Sequence, residues 1–225
     1  MDREANYSFG SNIVAIALSG GKSSRMGRDK ALLEIDGEIL LFKICRTALK
    51  VANSVYVVAR SQEQYQKAIA DSLDHTFVVL DHRFEGALVG FWQGVKAIAD
   101  PADWILLLAC DLPNIQSDVL QVWASQLAAL PESAIAYLPT YSEPRYLDEN
   151  SQKQWEPLCG FYRWQCQDSL ENFIAKGGRS FQKWLATQEV ITISNIPASM
   201  LLNCNTPDDL ARIPPCPSDQ NGLQR

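Results

Sequence analysis

Ile13-Val14-Ala15-Ile16-Ala17-Leu18, followed by Ser19-Gly20-Gly21-Lys22-Ser23-Ser24-Arg25-Met26-Gly27, is the stretch on which the fold turns. Six apolar residues cut off by glycines predict a short buried strand. The segment after it combines three glycines with serines and basic residues. Glycine lets backbone amides approach a ligand closely and permits positive φ. Successive amides form a nest for phosphate oxygens, and Arg25 and Lys30 supply charge to neutralise a polyphosphate. A flexible surface turn is the plain alternative, but the preceding strand and the basic residues both suit phosphate.

Outward from this point, strands and helices alternate. Leu40, Leu41, Ile44, Ala48 and Val51 recur at helical spacing from Ile39 onward. Val55-Tyr56-Val57-Val58 is the next strand, a polar helix covers residues 63–70, and Phe77-Val78-Val79-Leu80 is a third strand with Asp81 at its exit. Leu88, Trp92, Val95 and Ala99 mark another amphipathic helix. Trp104-Ile105-Leu106-Leu107-Leu108-Ala109 is the most apolar strand and is expected at the centre of the sheet. A helix over 118–130 leads to the strand Ala134-Ile135-Ala136-Tyr137-Leu138. Repeated strand–helix–strand units imply right-handed crossovers and a three-layer, Rossmann-like α/β fold, with a mainly parallel sheet and helices on both faces. Ligands of such sheets bind beyond the carboxyl ends of the strands. Residues 19–30, 81–90 and 110–113 are therefore expected to meet at one edge.

Residues 139–156 are polar and read as a long loop of the kind that binds ligands or is disordered. A strand over 158–162 and helices over 166–175 and 179–186 come next. In the last structured piece, 200–210, Thr206 suits an N-cap and Pro207 the first helical position. The expected organisation is a flexible N-terminus (1–11), one domain (12–213) in two halves (12–115 and 134–213), and a flexible tail (214–225).

Composition narrows the function. The chain has 225 residues, with 26 acidic and 20 basic side chains and a net charge of −6. That balance argues against sequence-independent binding to nucleic acid, whereas a local basic pocket on an acidic protein still accepts a small anion. No apolar run approaches the roughly 20 residues that span a bilayer. The polar N-terminus has no apolar core of a secretory signal, so a cytoplasmic protein with reduced thiols is expected. The six cysteines form no Cys-x-x-Cys pair, and neither histidine has a cysteine at zinc-ligand spacing.

Two familiar phosphate loops are excluded. A Walker loop ending in Gly21-Lys22-Ser23 needs a glycine where Ile16 stands, and the Gly-x-Gly-x-x-Gly dinucleotide fingerprint is absent. Asp111 has a separate claim: a carboxylate directly after a buried strand stands at the ligand-binding edge. Magnesium takes carboxylate and phosphate oxygens while keeping several waters, so one carboxylate plus a triphosphate suffices. The alternative for Asp111 is capping the helix near Asp118. Asp81 suits a base edge or ribose as acceptor, or is a solvated loop charge.

Leu18-x-Gly20-Gly21-x-Ser23-x-Arg25-Met26-Gly27-x-Asp29-Lys30 resembles the signature of the molybdenum cofactor guanylyltransferases, part of a superfamily of Rossmann-like nucleotidyltransferases. Gly86-Ala87-Leu88-Val89-Gly90 is similar to its Gly-Pro-Leu-x-Gly segment. Cys110-Asp111-Leu112-Pro113 resembles its metal-binding Cys-Asp-x-Pro, and Asn203-Cys204-Asn205-Thr206-Pro207 its late Asn-x-Asn-Thr-Pro. Ser19 and Ala87 depart from the family's usual alanine and proline. Gly20, where cytidylyl relatives carry alanine, leaves room beside a purine.

The resemblance implies transfer of GMP from GTP to the terminal phosphate of molybdopterin, with Mg2+ as cofactor and pyrophosphate released. It implies Arg25, Lys30 and Asp111 as catalytic, with Asp111 holding the metal. Leu18, Ser19, Gly20, Gly21, Lys30, Asp81 and Asp111 are its nucleotide contacts, and Arg179, Asn203 and Asn205 its acceptor contacts. For the last three a purely structural polar role is equally open. Proteins that deliver molybdopterin or receive the product are implied partners; nucleic acid and membrane are not. The rival readings are a cytidylyl or sugar-phosphate transferase and a non-catalytic adaptor binding GTP and molybdopterin.

Overall fold

The computed structural model describes residues 10–19, 30–35, 37–69, 73–140, 154–194, 196–197 and 199–202. In chain order the elements are β1 (Ile13–Ser19), β2 (Glu34–Ile35), β3 (Glu38–Ile39), α1 (Leu40–Ala48), β4 (Val55–Ala59), α2 (Gln62–Ile69), β5 (Thr76–Leu80), α3 (Ala87–Ala97) and β6 (Trp104–Ala109). There follow α4 (Ser117–Gln126), β7 (Ala136–Pro139), β8 (Cys159–Arg163), α5 (Cys166–Ala175), α6 (Phe181–Leu185) and β9 (Val190–Ile193).

Seven strands form one sheet in the order β5-β4-β1-β6-β8-β7-β9. Adjacent pairs are parallel except where β8 meets β6 and β7. β6 is the middle strand and is buried along its whole length, as its composition predicts.

Alternate residues of each strand feed two cores, one on each face. Ile13, Ala15 and Ala17 of β1 and Trp104, Leu106 and Leu108 of β6 join α1, α2 and α4. Val14 and Ile16, with Ile105 and Leu107, join α3, α5 and α6. This period of two on a strand buried on both sides produces the three-layer arrangement read from the sequence. At Gly94 of α3 an added Cβ would stand 3.0 Å from side-chain atoms of both Ile16 and Val58, so glycine sets how closely α3 rides on the sheet.

Several expected boundaries shift. α3 stops at Ala97 rather than including Ala99, because Ile98 is extended. The helix expected over 118–130 is α4 plus a separate 3-10 turn, Leu127–Ala129. The helix expected to open at Arg179 begins at Phe181, because Ser180 is extended and its side chain accepts the Lys183 amide. The hairpin of β2 and β3, turning at Gly37 (φ 81°), and the strand β9 have no counterpart in the pattern reading. Each is four residues or fewer per strand, too short for an alternation to register.

Because β8 is the one reversed strand, β7 and β9 run in the direction of β6. The exits of β1, β4, β5, β6, β7 and β9, and the entry to β8, therefore share one edge of the sheet.

Candidate active site

At this edge β1 ends in Ser19, which is buried, with Leu18 half-buried before it. The Leu18 carbonyl accepts the Cys110 amide at 3.1 Å, so the exits of β1 and β6 are tied together. Alternation points Ser19 to the α2 side. There its hydroxyl forms a hydrogen bond with the hydroxyl of Tyr65, which is fully buried. Gly20, Gly21 and Arg25 lie outside the described residues. Lys30 opens the 3-10 turn Lys30–Leu32, and its side chain is likewise outside them.

The β5 exit is organised by Asp81. Its amide donates to the Ala59 carbonyl at 2.8 Å, extending the ladder between β4 and β5 by one step. Its Oδ1 accepts the amides of Arg83 and Phe84, both at 3.0 Å, and the Gln93 side-chain amide at 2.6 Å. Gln93, on α3, also accepts the His82 amide at 3.0 Å. Asp81 thus shapes the loop as well as standing at the edge. Backbone conformation confirms how tight this loop is: Phe84 has φ 52° and Gly86, the N-cap of α3, has φ 100°.

Asp111 follows β6 after a single residue and is half-buried. The strand pairing puts a second carboxylate on the same edge. Leu108 is in register with Cys159, and the Ala109 amide donates to the Leu158 carbonyl at 2.8 Å. Glu156, two residues before Leu158, is 6% exposed and accepts the Leu158 amide at 3.1 Å. Burial pushes the Cys159 thiol well above its ordinary range, and the Glu156 charge adds to the effect. Glu156 escaped the sequence reading because it stood in a polar loop, where an acidic side chain is expected to be solvated. On the other side of Asp111, Asn114 donates to the Ser199 carbonyl at 3.3 Å. The segment leading towards Asn203 and Asn205 is thereby attached to the loop after β6, while those two residues lie outside the described ones.

Arg179 stands in the turn between α5 and α6. α5 ends in a Schellman motif, with Gly177 at φ 86° donating to the Ile174 carbonyl and Gly178 to the Phe173 carbonyl, each at 2.9 Å. Arg179 Nη1 donates to the same Ile174 carbonyl at 3.0 Å and to the Gly178 carbonyl at 2.7 Å. Its Nε donates to Glu85 Oε2 at 2.6 Å, and Nη2 pairs with that oxygen as well. Arg83 meets the other oxygen of Glu85 at 2.7 Å. The hydrogen bond from Arg83, then that from Arg179, holds the Glu85 carboxyl below its usual range.

Among the described residues no three His, Cys, Asp or Glu side chains cluster as a metal cage. The Asp111 carboxylate is an oxygen donor of the kind a hard divalent cation accepts. No helix among the described residues is long and apolar enough to cross a membrane.

Trp104, Trp123, Trp155 and Trp184 are buried, and Trp92 and Trp164 are half-buried.

Comparison with known proteins agrees with this geometry. Residues 15–190 match the MobA-like NTP transferase domain family. A protein of Trichormus variabilis named "Probable molybdenum cofactor guanylyltransferase" is 44% identical over 202 residues, 90% of each chain. One of Synechococcus elongatus with the same name is 36% identical, over 88% of this chain and 96% of its own. In fold, the chain is similar to molybdopterin-guanine dinucleotide biosynthesis protein A from Archaeoglobus fulgidus, with a TM-score of 0.65 at 20% identity over 89% of this chain and 96% of that one. It is also similar in fold to a 4-diphosphocytidyl-2C-methyl-D-erythritol synthase from Anaerococcus prevotii, with a TM-score of 0.71 at 15% identity over 91% and 95% of the two chains. The mainly parallel sheet, the family match over residues 15–190 and the 44% identity over nine-tenths of the chain lead to one conclusion: the chain belongs to the MobA-like NTP transferase family, on its molybdenum cofactor guanylyltransferase branch.

Proposed function

We propose that this nucleotidyltransferase moves GMP from GTP onto the terminal phosphate of molybdopterin, in the cytoplasm. The observation that carries the reading is the 44% identity over nine-tenths of the chain to a protein bearing the guanylyltransferase name. An oxygen of the acceptor phosphate attacks the α-phosphorus of GTP. The bond from that phosphorus to the oxygen bridging to the β-phosphate breaks, and pyrophosphate leaves. The nucleophile is already an anion near neutral pH and needs no general base. The work of the protein is positioning and charge neutralisation.

Asp111 is the residue that would hold Mg2+, and magnesium, when bound, offsets charge on the phosphate oxygens. Arg25, Lys30 and the amides after Ser19 meet the polyphosphate in this reading, and Asp81 meets the nucleoside. Asn203 and Asn205 serve the acceptor. Arg179 does so only in competition with Glu85, which already takes its guanidinium.

The test is a panel of GTP, CTP, ATP and UTP with magnesium and molybdopterin, read by pyrophosphate release and by the dinucleotide formed. Turnover with GTP alone is expected. Preference for CTP moves the chain to the cytidylyl relatives, and GTP binding without pyrophosphate makes it an adaptor.

A further inference from the structure

We propose that the ring of Phe84 is the stacking face for the base of the bound nucleotide, an inference that rests on the nucleotide-transfer reading above. Phe84 is 55% exposed and holds φ at 52°. A bulky side chain in the left-handed region is a genuine outlier, and such strain gathers at ligand sites. Among the described residues this ring belongs to neither hydrophobic core. Phe77 makes the contrast. It is similarly exposed at 49%, but it lies within β5, in regular strand conformation, with Tyr56 as its ring partner at 5.1 Å.

The strained conformation is held from below. Asp81 Oδ1 accepts the Phe84 amide, and Gln93 of α3 braces Asp81. The same brace therefore fixes both the carboxylate suited to a base edge and an aromatic ring three residues away. The ring stands over the exit of β4, where the guanidinium of exposed Arg60 is 5.6 Å from its centroid. A ring face that carries, among the described residues, a long exposed cation is one a flat base can take over. Guanine is a larger flat surface than a guanidinium, and base–aromatic stacking is a strong and recurrent contact. The face lies in the half of the chain that carries the glycine-rich segment, which favours the base of GTP over the pterin of the acceptor.

Phe84→Gly and Phe84→Tyr test this, since glycine removes the ring and the backbone strain together. GTP with magnesium is titrated calorimetrically into each protein, melting temperatures are measured, and KM is determined for GTP and for molybdopterin. The expected results are a roughly tenfold weaker GTP affinity for Phe84→Gly, a melting temperature no lower than wild type, an unchanged KM for molybdopterin, and near wild-type behaviour for Phe84→Tyr. Wild-type GTP affinity in Phe84→Gly overturns the proposal. So does a lowered melting temperature with unchanged GTP affinity, which makes the ring structural. A rise in the molybdopterin KM alone makes it a pterin contact and also overturns it. If wild type prefers another nucleotide, the guanylyl reading fails, and the Phe84→Gly ratio for that nucleotide still decides the stacking claim.

Discussion

Arg179 and Glu85, 94 positions apart in sequence, are joined by a hydrogen bond of 2.6 Å from Nε to Oε2. The pair links the turn between α5 and α6 to the loop after β5, which carries Asp81 and Phe84. With Arg83 on the other oxygen, one carboxylate serves two guanidinium groups. The side chain assigned by resemblance to the acceptor phosphate therefore already has an anionic partner.

The linkage has a defined pH dependence. Glu85 has its carboxyl lowered from an ordinary 4.5, first by the hydrogen bond from Arg83 and then by Arg179. A lowered folded-state value means stability that is fully present above the unfolded value and lost as pH falls through the folded one. The melting temperature of wild type is expected to exceed that of Glu85→Gln at neutral pH, and the gap is expected to close as pH drops below 4.5. Added salt at neutral pH narrows the gap as well, since the groups are partly exposed. A gap independent of pH removes the ion pair from the account.

Arg179→Ala separates the two roles open to that arginine. A lost charged hydrogen bond to the acceptor raises the KM for molybdopterin by about ten- to a hundredfold. Glu85→Gln, which releases the guanidinium, is expected to lower that KM. If molybdopterin kinetics stay the same in both variants, Arg179 belongs to Glu85 and the fold alone.

Asp111→Ala is expected to abolish pyrophosphate release while the protein still unfolds in one cooperative transition, because the residue lies in the loop beyond β6 and not within a strand or helix. Product formation near the wild-type rate at saturating magnesium takes Asp111 out of the metal role.

Ser19 and Tyr65 form a buried hydroxyl pair, so Tyr65→Phe takes a hydrogen-bond partner from the buried Ser19 hydroxyl. Tyr65→Phe is expected to cost about 1–3 kcal/mol in denaturant unfolding. Adding Ser19→Ala is expected to cost less than the sum of the two single changes, by about 0.5 kcal/mol or more. Strict additivity would mean the hydroxyls do not interact.

Thiol chemistry provides an independent check on packing. Burial pushes Cys45 and Cys166 up to about 12, and both are fully buried. Iodoacetamide at about pH 8, near the value of an ordinary thiol, is expected to leave these two cysteines unmodified in the native protein and to label them in denaturant. Native labelling at Cys45, detected by peptide mass spectrometry, would contradict the core formed by α1.

The parts of this architecture that sequence reveals are those with long repeats of burial. β1 and β6 are recognisable because β6 is apolar throughout and β1 is apolar up to its last residue, and the residues at their exits, Ser19 and Asp111, follow from that. Phe84, Glu85 and Glu156 are not recognisable in this way. Their positions depend on a left-handed backbone at one residue, a contact across 94 positions, and the pairing of β6 with β8. None of these leaves a periodic trace. Arg179 was legible as a basic residue after two glycines, but its partner was not.

The reversed strand β8 also sets an order on biosynthesis. β6 pairs on one side with β1, which is already made, and on the other with a strand that ends at Arg163. A nascent chain that has emerged only as far as Pro113 exposes one whole backbone edge of Trp104-Ile105-Leu106-Leu107-Leu108-Ala109, the most apolar strand in the protein. Open apolar edges of this kind recruit other strands and aggregate. Truncations ending between β6 and β8 should therefore yield insoluble material rather than a smaller unit that folds separately.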